Sequence, residues 1–351
     1  MLGMSEIATV SDATVTGKSM LRFVMQILLV FLSSVPASAL ECNSAKTLIE
    51  QALCGTSELS NADAAMARAY ETLRSVLPGD QQALLLADQR RWLRDRDTIC
   101  GEKKDRELLD CVLAETERRR LFLAGDGPNR AAGAPRLQPA FFRETKKGRY
   151  EINALYPHIV KPSSPAENVL NKEAHDLVLS KNALGDTRAS EPPPDAPGIS
   201  NYDATYDLTY LDPRLAAIVF TISTYGAGAA HPNTGRESLV FEFSRGRRLT
   251  LADVVSSPAA AIPAISELCK GQLTAQAAKV GWELFDDPDF ATVVREFAHW
   301  APNKGGVDIL FDQYSIAAYV FGQHECLLSR ADLAPWLKPG GPLPPQEHGP
   351  P

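Results

Sequence analysis

The sequence predicts an α+β protein overall: a small disulfide-stapled all-α helical domain followed by an α+β domain with a largely antiparallel sheet. Three observations predict it. Four of the six cysteines fall between Cys42 and Cys111, in a stretch whose apolar residues recur at helical spacing. Beyond Tyr150 the apolar period changes from 3.6 to 2. The strands and helices of that second half do not alternate regularly, as a parallel α/β sheet would require. At 351 residues, 44% hydrophobic and 23% charged, the chain has room for two domains. Its net charge of -7 argues against nucleic acid and anionic membrane surfaces as partners and leaves room for a basic one.

Residues 1–39 read as a secretory signal. Arg22 precedes the apolar run Met25-Gln26-Ile27-Leu28-Leu29-Val30-Phe31-Leu32, and Ala37-Ser38-Ala39 supplies a small-x-small site. The run is too short to span a bilayer, so no membrane span is expected after cleavage following Ala39; an uncleaved anchor is the alternative. The polar residues 1–19 lie awkwardly ahead of the signal, and Met20 is an alternative start. Export places the six cysteines in an oxidising compartment, periplasmic or secreted.

Residues 40–123 form the helical domain. A short helix through Ala45–Glu50 is expected to end near Cys54-Gly55, with glycine as a left-handed cap. Ser60 and Asp63 have the form of a capping box. Leu59, Ala62, Met66, Tyr70, Leu73 and Leu77 then lie on one helix face, and Pro78-Gly79-Asp80 breaks the helix. A third helix follows with Leu85, Trp92 and Ile99 on a stripe, and a fourth with Leu108, Val112 and Phe122. Antiparallel second and third helices bring Cys100 back toward Cys54. Of the three connectivities open to four cysteines, this favours Cys54 with Cys100 and Cys42 with Cys111. Trp92 reads as a core anchor. Arg90, Arg91, Arg94 and Arg96, interleaved with Asp88, Asp95 and Asp97, read as a solvated, salt-bridged face.

Cys42, Glu50, Cys54, Leu59, Asp63, Tyr70, Gln89-x-x-Trp92-Leu93-x-x-Arg96, Cys100, Cys111 and Arg119 resemble the LprI-type lysozyme-inhibitor module, a small secreted helical domain. The resemblance implies a lysozyme-like muramidase as the partner, since inhibition belongs to some members of that family.

Residues 124–147 are expected to be an interdomain linker, because 124–138 carry three glycines, two prolines and no apolar periodicity. The two domains would then move and unfold separately. In the second domain, 148–337, strands are expected at Tyr150–Pro157, Tyr202–Leu211, Leu215–Tyr225, Glu237–Phe243, Val307–Phe311 and Tyr314–Phe321. Helices are expected at 165–180, 258–279 and 289–300, with a Pro-rich loop at 191–198. Cys269 and Cys326 are left to pair across this domain, and 338–351 reads as a disordered tail.

Tyr156-Pro157-His158, the run Tyr225 to Asn233, Leu249-x-Leu251-x-Asp253 and Tyr314-Ser315-Ile316-Ala317-Ala318-Tyr319-x-x-Gly322 resemble the RsiV-type C-terminal domain. That domain occurs in a lysozyme-sensing anti-sigma factor and beside some peptidoglycan deacetylases. The chain departs from it in carrying Ala229-Ala230 where a glycine pair usually precedes the histidine. Between Tyr225 and Asn233, Gly226 and Gly228 permit a sharp excursion, which would present His231-Pro232-Asn233 at its tip. Two roles are open to this loop. It either enters a partner's cleft, with Tyr225, His231, Pro232 and Asn233 as binding residues, or merely closes a hairpin with His231 bonded to backbone.

No Gly-x-Ser-x-Gly elbow, His-Glu-x-x-His or phosphate-cradling glycine loop occurs, so an enzyme is not expected, nor is any cofactor or metal. Asp286, Asp287 and Asp289 flank Pro288 as in a helix-start loop. Asp203 and Asp207 share one strand face, a spacing suited to glycan or to solvent. The expected function is binding at the cell envelope, to a muramidase or, as the alternative, to peptidoglycan.

Overall fold

The computed structural model describes residues 42–127, 130–191 and 198–344. The signal segment, the Pro-rich loop at 192–197 and the tail beyond 344 lie outside the described residues. Four helices open the fold: α1 (Leu48–Gly55), α2 (Ser57–Val76), α3 (Gly79–Gly101) and α4 (Asp105–Ala124). The local starts differ from expectation. Thr47 and Glu50 make a reciprocal capping box at α1, and Thr56, extended at φ -136°, caps α2 through Leu59 N. Ser60 therefore lies inside α2, and Gly55 is not in the left-handed region.

The cysteine pairing is also corrected. Cys42 bonds Cys54 and Cys100 bonds Cys111, in place of Cys54 with Cys100 and Cys42 with Cys111. Cys100 does pack in one small core with Leu53, Leu59 and Val112. The tight turn at Glu102–Lys104, however, folds α4 back so that Cys111 reaches Cys100 first. Closing a loop of this length contributes about 3 kcal/mol in the chain-entropy model. In the charged run on α3, Arg90, Arg91, Arg94, Asp95 and Asp97 are exposed as expected, and Arg96 is the exception. Arg96 is buried, lies over the half-buried Trp92 ring at 5.0 Å and pairs with Asp97 at 2.9 Å. Arg119 of α4 approaches the same ring at 5.6 Å and bonds Asp88 and Gln89 of α3.

The described residues of 124–147 are not an exposed linker. Gly125, at φ +70°, caps α4, and a Cβ there would stand 2.8 Å from Gln138 N and Leu137 C, so the glycine serves a close backbone approach. Ala134 and Leu137 are buried, and β1 (Gln138–Lys146) follows directly. Then come β2 (Tyr150–His158), α5 (Pro165–Leu179), α6 (Lys181–Ala189), β3 (Ser200–Leu211), β4 (Leu215–Tyr225), β5 (Asn233–Glu242) and β6 (Arg247–Arg248). These strands form one sheet in sequence order, antiparallel except for β2–β3, whose parallel pairing is bridged by α5 and α6. The rest comprises α7 (Leu251–Val254), α8 (Pro258–Val280), α9 (Phe290–Arg295), β7 (Trp300–Pro302), β8 (Gly306–Phe311), β9 (His324–Ser329) and α10 (Arg330–Leu333). Strands β7, β8 and β9 make a second antiparallel sheet.

Each face of the large sheet buries its own set of side chains. Ile152, Ala204, Phe220 and Leu239 share a core with Leu170 and Val178 of α5 and with Met66, Leu73 and Leu85 of the helical bundle. Ala217 and Val240 face the other way, onto Ile265 and Leu273 of α8 and Trp300 and Ile309 of the small sheet. Bundle and sheet thus share one core, against the expectation of independent domains. Cys269 of α8 bonds Cys326 of β9. The expected helix at 289–300 stops at Arg295, and the expected strand at 314–321 is absent. Tyr314 sits at φ +65° and Tyr319–Phe321 is a turn of 3-10 helix, so the apolar alternation there belongs to a turn packed on the core. The tail is ordered at its start, where Leu343 is buried and Arg330 holds the Pro344 carbonyl at 2.6 Å.

Candidate interaction site

The β4–β5 hairpin carries the loop singled out in the sequence. Thr224 pairs with Asn233 at its base, Tyr225 stands opposite Asn201 on the β3 side, and Gly228 turns the chain at φ +84°. Ala227 N donates to Ser200 Oγ at 3.0 Å, and Gly228, Ala229 and Ala230 are exposed. His231 is not presented at that tip. Its ring lies 3.8 Å from the Tyr319 ring, stacked at 23°, and 6.1 Å from that of Tyr314. Nδ1 is 3.0 Å from the Pro232 carbonyl and Nε2 is 3.2 Å from the Tyr314 hydroxyl. A carbonyl oxygen only accepts, so Nδ1 carries a proton, and Nε2 shares a hydrogen bond with the Tyr314 hydroxyl. Pro232 and Asn233 are exposed beside this ring cluster. The structure therefore joins His231 to Tyr314 and Tyr319, two residues of the closing motif, and leaves Tyr225 at the hairpin base.

A half-buried ion pair, Arg236 with Asp312, holds the two segments together. The Arg236 backbone N–H donates to both oxygens of Asp312 at 3.0 Å, and its guanidinium reaches Glu325 Oε1 (2.6 Å) and the Phe311 (3.0 Å) and His324 (2.8 Å) carbonyls. Gln323 Nε2 bridges the Thr234 carbonyl and Asp312. Gly235 gives this carboxylate room, since a Cβ there would lie 3.2 Å from Asp312 Oδ2. The start of β5 and the turn after β8 are thereby pinned to each other, which sets Tyr314 beside His231. The segment that carries Tyr314 and Tyr319 also exposes Val320, at 81%, and Phe321. Sequence reasoning missed Arg236, Asp312 and Gln323. The available signal was Tyr314 and Tyr319 themselves, read as part of a strand over Tyr314–Phe321.

His324 lies behind this node, buried, with its ring stacked on Trp282 at 3.9 Å. Burial, with the Arg236 charge adding to it, pushes its pKa below the usual histidine value of 6.5. The unfolded chain therefore takes up this proton first as pH falls. His324 contributes stability that is intact above about pH 6.5 and declines below it, until the folded histidine itself titrates. Urea midpoints at pH 7.5 and 5.5 are expected to drop for the parent and to drop less for His324→Phe, which keeps a ring on Trp282. An equal drop in both would remove His324 from the account.

Among the described residues no helix is long and apolar enough to cross a membrane. A family model described as lysozyme inhibitor LprI matches residues 41–123, and one described as a protein of unknown function (DUF3298) matches residues 252–331. The second range contains Asp312, Tyr314 and Tyr319 and begins after His231. No curated protein matches the chain. Among solved structures, a DUF3298-family protein of Bacteroides fragilis is similar at 14% identity and TM-score 0.42, over 59% of this chain and 94% of that one. A DUF3298-family protein of Pseudomonas aeruginosa is similar at 16% identity and TM-score 0.41, over 58% and 95%. By the two family matches the chain carries an LprI lysozyme-inhibitor domain at 41–123, the disulfide-stapled bundle, followed by a DUF3298 domain at 252–331.

Proposed function

We propose that this is an exported cell-envelope protein that binds lysozyme-like muramidases and inhibits them without chemistry of its own. The observation that carries the reading is the LprI match over the whole stapled bundle. Three disulfides suit an extracytoplasmic location. The families matched are a lysozyme inhibitor and one of unknown function, and neither match names a catalytic activity. The hairpin loop supports a protein partner. A rigid edge formed by His231, Pro232 and Asn233, beside exposed Tyr314 and Val320, offers aromatic contact area at small entropic cost.

The test is a turbidity assay in which muramidase lyses cell walls in the presence of increasing amounts of the folded chain. Stoichiometric loss of lysis is expected. Full lysis at saturating chain, with the chain retained on isolated peptidoglycan, would replace inhibition by glycan binding.

A further inference from the structure

A cleft of ≈ 500 Å³ separates the C-terminal turn of α4 from the middle of β3. This volume suits a small organic molecule. Its walls are mainly apolar, built from Leu121 and Phe122 of α4 and Tyr206 and Leu208 of β3. The charged groups at its rim are almost all engaged inside the protein. Both Glu117 oxygens are held by Arg120, at 2.6 and 2.7 Å. Asp126 lies between Arg130 (3.3 Å) and Arg136 (3.5 Å), and Arg118 pairs with Glu115 at 2.7 Å.

Asp207 is the exception. Among the described residues its carboxylate has no hydrogen bond or ion pair, and only the more distant Arg118 charge favours its ionised form. Asp207 is exposed at the mouth of the cleft, where crowding by the cleft walls raises its carboxyl above the ordinary range and an incoming cation would favour the ionised form. Leu121 and Phe122 belong to the last turn of α4, and their carbonyls are taken by the Gly125 and Asp126 N–H groups, so Asp207 is the free acceptor at the cleft.

We propose that this cleft binds an organic cation with an apolar body, an ammonium or guanidinium group on a hydrocarbon stem, with Asp207 as counter-ion. A free amine and a lysine or arginine side chain of a protein partner present the same chemistry. An anion would meet the Asp207 carboxylate, and a neutral molecule would bring it no charge to pair with.

The test titrates the whole chain by calorimetry with benzylamine, benzyl alcohol and benzoate at neutral pH. Benzylamine is expected to bind saturably, the alcohol at least about tenfold more weakly, and benzoate not at all. Asp207→Asn is expected to weaken benzylamine at least about tenfold while the thermal midpoint stays within a few degrees. Ala114→Trp, at an exposed position on the cleft wall, is expected to abolish binding by filling the space. Unchanged affinity in Asp207→Asn, or an alcohol or benzoate that binds as well as the amine, overturns the proposal. These outcomes do not depend on muramidase binding. If a muramidase binds, displacement of benzylamine by it assigns the cation to a partner side chain, and simultaneous binding assigns it to a free amine; either upholds the site.

Discussion

Arg236→Ala is expected to destabilise the protein by roughly 2–4 kcal/mol, because two backbone carbonyls lose a charged donor and a half-buried carboxylate loses its partner. The Arg236 side chain is 9% exposed and serves Asp312 together with two backbone carbonyls, those of Phe311 and His324. The alanine variant keeps the backbone N–H to Asp312 but leaves both carbonyls without these donors, at roughly 1–3 kcal/mol for each if it stays dry. The Glu325 contact adds little, because that carboxylate is half exposed. Arg236→Lys should recover only part of the loss, since an ammonium cannot reach three acceptors in the plane of a guanidinium. Chemical denaturation measures it. A loss below about 1 kcal/mol would mean that the junction of β5 and the β8 turn is held by apolar packing instead.

Phe141→Ala is expected to cost roughly 3–5 kcal/mol, as for a large aromatic removed from a core. The cost should appear as a shift of a single unfolding transition. Phe141 is 5% exposed on β1, in the core that contains Leu73 and Leu85 of the bundle and Ile152 and Phe220 of the sheet. The Phe141 amide is also held by Gln81 Oε1 of α3 at 3.1 Å. Bundle and sheet exclude water from one another here, so neither retains its apolar face when the other unfolds. Calorimetry that resolved two transitions, only one of them moved by Phe141→Ala, would restore the picture of two independent units.

The features legible in the sequence were those that periodicity and local chemistry determine. Strands β2, β3 and β4 and helices α5 and α8 lie within a residue or two of their expected spans. Strand β1 was hidden because Gly125, Gly127 and Gly133 precede it, and glycines that serve a cap or a close backbone approach look the same in sequence as those of a flexible tether. The cysteine pairing depended on which helix end folds back first, a tertiary outcome that four cysteines in one stretch do not encode. Arg96 breaks the rule that charge runs are solvated because the Trp92 ring covers it. The candidate site was half legible. The His231 loop stood out by its glycines, whereas Tyr319 entered the site through a 3-10 turn that an alternating pattern disguised as strand.

The most direct test of the proposed function is the equilibrium titration of a muramidase with the folded, oxidised chain, run in parallel with His231→Ala. Saturable binding is expected for the parent. His231→Ala should weaken it by about 1–2 kcal/mol, as for losing a hydrogen-bonded ring at an interface. Unchanged affinity in the variant would move the contact from the hairpin loop to the stapled bundle. Absence of binding by the parent chain at concentrations where its disulfides and fold are intact would contradict the account.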